Sequence, residues 1–207
     1  MKEKTLKIIG ISAALSFLLF FNPCHAKIVD RVVARVDNEV IFQTELNNRI
    51  EMLLYQAGGG NISGKEKEEF GRNVLNQMIE DKMLILEAEK EQMTIPEEMV
   101  KNEIQNIRDN FLDEKEFEAF IKGQGVTAGE LAENRIKVRF LVDKKIKVQV
   151  TNKEVGQYYQ KHKNEMPGSE EEAKAKVRKL LSENKFSAAF KKWMDKIKSE
   201  HIVDIKL

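Results

Sequence analysis

One segment of the chain approaches a phosphate-binding pattern. Residues 59–66, GGNISGKE, carry glycines and Lys65 at the spacing of the loop that cradles nucleotide phosphates. The last position of that pattern needs the hydroxyl of Ser or Thr to hold magnesium, whereas Glu66 stands there and its carboxylate would repel phosphate. The segment also follows a predicted helix, whereas a phosphate-binding loop follows a buried strand. We therefore expect neither nucleotide binding nor ATP dependence.

Other catalytic patterns are missing from the sequence. His162 and His201 are the histidines beyond residue 26, and no cysteines or repeated carboxylates give either one metal-ligand spacing. We predict solvated or helix-capping roles for both. The sequence has no Gly-x-Ser-x-Gly elbow, and its carboxylates lie three or four residues from lysines, as on solvated helix faces. We therefore expect no enzymatic activity, no metal and no cofactor.

Apolar side chains point instead to a binding function. Seven methionines follow Met1, and aromatic residues accompany several of them. Methionine is flexible and polarizable, so a groove lined by methionines and aromatic rings accepts many apolar sequences. The alternative is that each is an ordinary core residue at helical spacing. The candidate groove residues are Met52, Tyr55, Met78, Met83, Phe111, Phe117, Phe120, Tyr158 and Tyr159.

Helices are predicted to carry all of these residues. Thr44 is a candidate cap for the first helix, Pro96 a first-turn residue, and Gly123 the end of a short helix that opens at Asp113. Near Asn184 the apolar positions shift phase, which indicates either two helices or one irregular helix. Four further helix starts carry the capping-box signature: Ser63 with Glu66, Thr127 with Glu130, Thr151 with Glu154, and Ser169 with Glu172.

Extended segments are predicted at the two ends of this helical region. Residues 32–42 read as a hairpin with a turn at Asp37-Asn38, and residues 201–207 alternate like a strand. A lone strand cannot satisfy its backbone groups, so it must pair with the distant hairpin. The predicted fold class is mainly α, a multi-helix module with a small antiparallel sheet formed by the N-terminal hairpin and the C-terminal strand.

The first 26 residues have the three-part layout of a secretory signal peptide. Three lysines precede an apolar run from Ile8 to Phe21, and Ala26 offers a small residue for cleavage before Lys27. The alternatives are an uncleaved anchor and, less well supported, a lipoprotein at Cys24. Cleavage would remove the only cysteine of the chain, so the mature protein would have no disulfide. Removing three lysines and one glutamate from 35 basic and 34 acidic residues leaves a net charge of −1, which argues against nucleic acid as a partner.

An ordered series of segments resembles the SurA-type periplasmic chaperones, which are related to PrsA-like foldases. Residues 30–41 (DRVVARVDNEVI), followed by Thr44-Glu45-Leu46, resemble the opening hairpin of that family. Residues 77–85 (QMIEDKMLI) are similar to its "I-D-x-x-L" helix, and residues 117–131 to the passage after it. The terminal helix and strand are represented by residues 184–186 (NKF), 193–194 (WM) and 203–206 (VDIK). The resemblance covers residues 30–207.

This resemblance implies one chaperone domain over residues 27–207, following a signal peptide over residues 1–26. Its N-terminal part, 27–166, would be completed by the helix and strand of 169–207. Family members commonly insert parvulin-type prolyl isomerase domains between these parts, and here only residues 166–169 (MPGS) occupy that position. Prolyl isomerase activity is therefore not implied.

The implied function is that of a periplasmic, ATP-independent holdase. Its partners would be unfolded or partly folded envelope proteins, including outer-membrane proteins, held through aromatic-rich segments in an apolar groove. Contact with membranes would be indirect only, and self-association stays open. Two other functions also stay open: a scaffold subunit that binds one specific envelope partner, and a peptidyl-prolyl isomerase.

Overall fold

The protein is a mainly α-helical module with a three-stranded sheet, as predicted. A computed structural model describes residues 30–58 and 63–206; the predicted signal peptide and most of the glycine-rich loop lie outside these ranges. The elements in chain order are β1 (Val32–Val36), β2 (Glu39–Phe42), α1 (Gln43–Gln56), α2 (Gly64–Lys90), α3 (Glu97–Arg108), α4 (Glu114–Gln124), α5 (Ala128–Lys145), α6 (Asn152–His162), a 3₁₀ turn (Lys163–Glu165), α7 (Glu170–Glu200) and β3 (Val203–Ile205).

The sheet joins distant parts of the sequence. Its strand order is β2-β1-β3, and both pairings are antiparallel. In the register, Val36 faces Glu39 across the hairpin and Val203 on the other side, and Asp37 makes the hairpin turn with a positive φ of 52°. Aspartate tolerates this left-handed conformation better than most residues. The predicted pairing of the last strand with the opening hairpin is thus confirmed.

Local capping signals account for most helix starts. In each of the four predicted capping boxes, the Ser or Thr side chain accepts a hydrogen bond from the glutamate N–H three residues later. The glutamate side chain accepts the N–H of the capping residue in return, so two otherwise unpaired donors are satisfied. A cap of this kind is worth about 1 kcal/mol of stability. The starts of α2, α5, α6 and α7 therefore follow directly from the sequence.

Three helix boundaries differ from the predicted ones. Pro96, predicted to lie in the first turn of α3, is the N-cap residue, and α3 begins at Glu97. Helix α1 begins directly after Phe42 and not after Thr44. The Glu45 carboxylate accepts the backbone N–H of Phe42 at 2.8 Å, and this bond makes Phe42 the capping residue. Helix α4 continues past Gly123 and ends at Gln124, and the residue that caps it, Gly125, has a φ of +68°. Only a residue without a Cβ adopts that left-handed conformation at little cost, so Gly125 terminates the helix.

Helix α7 is one continuous helix, which resolves the phase shift near Asn184. Its first half buries Ala173 and Val177, and this part of the chain packs against α6. Its second half buries Met194 and Ile197 in the core of the sheet and α2. The helix bridges two packing partners, so its buried side changes along its length.

Two apolar cores determine the positions of the remaining helices. The first combines the sheet with α1, α2 and the end of α7, and includes Ile41, Leu75 and Met83. The second combines α3, α4 and α5 around Ile107, Phe117 and Ala132. Helix α5 packs against both α2 and α3, and α1 packs against α4, so the two cores lie side by side. Within the described ranges, no helix is both long and apolar enough to cross a membrane.

Candidate functional site

A large open concavity lies where the two cores meet. Its volume is about 1100 Å³, and β2, α1, α2, α3, α4 and α5 all contribute to its wall. Apolar lining comes from the sheet side through Ile41 and Leu86, and from the other core through Ile107 and Leu131. A concave surface of this size, open to solvent and lined from several elements, is the usual form of a binding site.

Four of the nine candidate residues line this concavity. Met52 projects from α1 and Met78 from α2, while Phe111 lies in the connection between α3 and α4 and Phe120 lies on α4. All four are partly exposed, and the rings of Phe111 and Phe120 lie 4.9 Å apart. The structure therefore brings together two methionines and an aromatic pair that are far apart in sequence.

Two candidates are buried in the cores instead. Met83 is 2% exposed and belongs to the core of the sheet and α2. Phe117 is 4% exposed, packs edge-on against Phe111 at 5.9 Å, and has the guanidinium of Arg108 over its ring at 4.8 Å. These two side chains are packed in the interior, and Phe117 supports the partly exposed Phe111 from below through their ring contact.

The three tyrosines lie away from the lining of the concavity. Tyr55 is 68% exposed, and its hydroxyl donates to the Glu116 carboxylate at 3.2 Å. Tyr158 stacks on His162 with ring centroids 4.5 Å apart, and the Lys174 ammonium lies 5.5 Å from the ring centre of Tyr159. The nine candidates thus do not form one continuous surface.

Charged groups surround the apolar lining. The carboxylate of Glu103 is almost buried and binds two half-exposed arginines of α5, Arg135 at 3.4 Å and Arg139 at 3.3 Å. Asp81 lies 4.0 Å from Arg49, and burial raises the pKa of its carboxyl. Protein on several sides of the concavity accounts for this effect of burial. The Asp81 side chain still meets water, because the concavity that it lines is open to solvent. The site is therefore amphipathic, with apolar side chains beside charged groups of both signs.

A second apolar surface on α7 did not enter the predicted groove. Phe186 is 41% exposed, and Phe190 and Trp193 follow it along the helix with ring centroids 6.0 Å apart at each step. In sequence Phe190 and Trp193 read as apolar positions of the last helix, and both are partly buried against the core of the sheet and α2. The phase shift near Asn184 was the available signal, because a helix that changes its buried side leaves apolar residues uncovered between the two contacts.

The two histidines occupy different environments. His162 is partly exposed and lies 3.4 Å from Glu165, in agreement with a solvated role. His201 follows the last residue of α7, in agreement with a capping position, but its side chain is only 1% exposed. Of the two predicted roles, solvated or capping, the capping one applies to His201, and its ring is buried because Asp37 and Glu87 approach it from distant parts of the chain.

Comparison with known proteins defines the class. The model of the SurA-like N-terminal domain matches residues 1–146, which is more than half of the chain, and the protein belongs to this family. Two curated relatives bear the name Chaperone SurA. The one from Saccharophagus degradans is 27% identical over 103 residues, covering 49% of this chain and 24% of the relative. The one from Chromohalobacter salexigens is 24% identical over 136 residues, covering 63% of this chain and 31% of the relative.

The matched region contains the concavity. Its lining residues run from Glu39 to Arg139, inside the span of the domain model. The matches extend over about a quarter to a third of the length of the two relatives. The comparisons therefore support a chaperone-type role at the level of the family.

Proposed function

We propose that the protein is an exported, ATP-independent holdase of the periplasm. In this proposal, residues 1–26 direct export and are removed, and residues 27–207 act as one module. The clients are unfolded or partly folded envelope and outer-membrane proteins. The observation that carries the proposal is the open concavity of about 1100 Å³, in which apolar side chains from two cores meet solvent in a member of a chaperone-named family.

The chemistry of the lining suits many different clients. Met52 and Met78 have flexible, polarizable side chains that adapt to apolar groups of various shapes. Phe111 and Phe120 offer a rigid aromatic face on which client aromatic rings can pack edge-on or offset. Together they provide affinity without requiring one sequence, which is what a promiscuous chaperone needs.

The charged surroundings keep binding weak and reversible. Arg135 and Arg139 are held by Glu103, and they remain half exposed beside the apolar lining. A client segment that extends beyond the apolar lining meets hydrated charged groups and no further apolar surface. Release then follows from mass action and from folding of the client, with no energy source.

Suppression of aggregation tests the proposal. A denatured outer-membrane β-barrel protein is diluted into buffer with the purified chain at several-fold excess, and light scattering is recorded. We expect strong suppression by the unaltered chain and much weaker suppression by the double variant Met52→Ser, Phe120→Ser, whose substitutions lie in the lining. Leu112→Ser is the matched control, because Leu112 is 89% exposed and is not a lining residue.

Two results would reject the proposal. One is absence of suppression by the unaltered chain when its circular dichroism shows a folded protein. The other is equal suppression by the lining variant and the Leu112 variant, with both folded. Co-purification from the envelope separates the holdase from a scaffold, since a scaffold would retain one partner at a fixed ratio.

A further inference from the structure

The outer strand of the sheet presents an open edge. Strand β3 pairs with β1 on one side, and no other described strand lies beyond it. The bonds from the Lys206 N–H to the Val33 carbonyl and from the Asp37 N–H to the Ile202 carbonyl, both 2.8 Å, fix the pattern of the ladder. Because bonded and non-bonded pairs alternate along an antiparallel ladder, the backbone N–H and C=O of Val203 and Ile205 point away from β1.

The side chains at this edge extend a buried surface into solvent. Val203 lies opposite Val36 and Ile205 opposite Ala34, and both residues of β1 are fully buried. Val203 is 37% exposed and Ile205 is 50% exposed. The apolar face of the sheet therefore continues to its edge without a cover, where another strand would bury it.

Both ends of β3 are fixed to the rest of the fold. At one end, the Ile202 N–H donates to the Asp37 carboxylate at 2.8 Å, and the His201 ring lies 2.6 Å from the same carboxylate. At the other end, the Arg31 guanidinium donates to the Lys206 carbonyl at 2.9 Å. The edge is ordered before any partner arrives, so a partner does not bear the cost of ordering it.

A second copy of the chain is a poor occupant for this edge. Three residues of strand span about 10 Å, far too little for the ~1,200 Å² that stable interfaces bury. The antiparallel self-pairing that bonds both outward residues also places the two Asp204 side chains directly opposite each other, and like charges in that position are destabilising.

We infer that the edge of β3 binds an extended apolar segment of an unfolded polypeptide as a fourth strand of the sheet. This inference rests on the proposed function, which supplies such segments as clients. Backbone bonds to Val203 and Ile205 give affinity that does not depend on the client sequence. The edge and the concavity are separate contact sites, since neither residue lines the concavity.

Amide hydrogen exchange provides the test. The probe is a short synthetic peptide of alternating valine and threonine with a lysine at each end, added to the purified, isotope-labelled chain. We expect exchange at Val203 and Ile205 to slow about tenfold when the peptide is saturating. The amide of Asp204 is the internal control, because the ladder directs it toward Arg35 and the peptide should change it little.

Two variants separate backbone pairing from side-chain contact. Ile205→Pro removes an outward donor and leaves the bonds to β1, so we expect peptide protection at Val203 to disappear. Ile205→Ala keeps the donor and should retain most of the protection. Thermal unfolding checks that both variants fold; if Ile205→Pro does not, the exchange measurement on the unaltered chain still decides.

Several outcomes would overturn the inference. They are peptide binding that alters only residues of the concavity, protection of Val203 and Ile205 before peptide is added, and no binding of the peptide at all. The first would leave the proposed holdase intact while rejecting the edge. Protection that grows with protein concentration alone would identify a second copy as the occupant. Protection by peptide in a chain that does not suppress aggregation would uphold the edge and reject the holdase.

Discussion

The imidazole Nδ1 of His201 lies 2.6 Å from the Asp37 carboxylate, although 164 residues separate the two in sequence. The other ring nitrogen, Nε2, lies 3.1 Å from the carboxylate of Glu87 on α2. A carboxylate accepts hydrogen bonds, so a ring nitrogen of His201 bonds to either partner by donating an N–H to it. One side chain thus connects the hairpin turn, α2 and the start of β3.

The neighbouring carboxylates respond to this arrangement. The Ile202 N–H and the His201 ring lower the pKa of Asp37. Burial acts to raise the pKa of Glu87, but hydrogen bonds from Lys90 and His201 outweigh it and lower that pKa as well. Both carboxylates are therefore held in the charged form, in which they accept hydrogen bonds.

Replacing His201 should destabilise the protein. The variant His201→Asn removes the ring contact to at least one of the two carboxylates, and we expect the melting temperature to fall by roughly 5 °C. His162→Asn is the matched control, since His162 is more exposed and has one weak carboxylate contact at 3.4 Å. Thermal unfolding by circular dichroism measures both. Equal shifts in the two variants would contradict a special role for His201.

Acid should weaken the attachment of α6 to α7. The Lys185 ammonium, together with the Thr151 N–H and hydroxyl, lowers the pKa of Glu154 from 4.5 to about 2. A carboxylate with a lowered pKa favours the folded state above its ordinary pKa, and this contribution is lost as pH falls from 4.5 toward 2. We expect the variant Glu154→Gln to be less stable than the unaltered chain at neutral pH and to lose less stability on acidification.

Urea unfolding at a series of pH values measures this difference. The control is Glu118→Gln, which removes an exposed glutamate of α4. Its stability should follow that of the unaltered chain at every pH. Parallel pH profiles for the Glu154 variant and the unaltered chain would count against the prediction.

Substitutions of Met83 and Met52 should distinguish a residue of the core from a residue of the binding surface. Met83 is buried at 2% exposure, so Met83→Ala should lower the free energy of unfolding by about 2–5 kcal/mol. Met52 is partly exposed in the lining of the concavity, so Met52→Ala should cost well under that and instead weaken client binding. Chemical denaturation and fluorescence titration with an unfolded client measure the two effects. A large loss of stability in the Met52 variant would place this residue in the core.

A prolyl isomerisation assay tests the remaining alternative. The purified chain is mixed with a proline-containing chromogenic peptide, and the cis-to-trans rate is followed. We expect the uncatalysed rate, because no parvulin-type segment lies between α6 and α7, where residues 166–169 make the connection. A rate that rises in proportion to the concentration of the chain would show that it is an isomerase.

The parts of the fold that local sequence determines were predictable. A cap such as Ser63 and its glutamate partner lie three residues apart, so the signal and the structure fall in the same short window. The pairing of β3 with β1 also followed, because a lone strand needs a partner and the sequence offered one. Boundaries that depend on a single conformation, such as the left-handed Gly125, were harder to place than the helices themselves.

The site was less predictable because it depends on which side of each helix is covered. Helix α2 contacts the sheet, α1, α5 and α7, so its apolar residues are spread widely around it. Met78 and Met83 look alike in sequence, yet one meets the concavity and the other is buried. The arrangement of α5 against both α2 and α3 decides this, and no local pattern encodes it. The contacts of His201 with its two carboxylate partners could not be predicted either, because both partners lie far from it in the sequence.

The place of β1 between β2 and β3 also sets an order for folding. The hairpin and the early helices can form while the chain is still emerging, but β1 remains open on one side until β3 has been synthesised. Joining strands so far apart carries a loop-closure cost that local contacts do not, which makes it a slow step. A newly made molecule therefore passes through a stage in which its own sheet is incomplete and one edge of β1 has no partner strand.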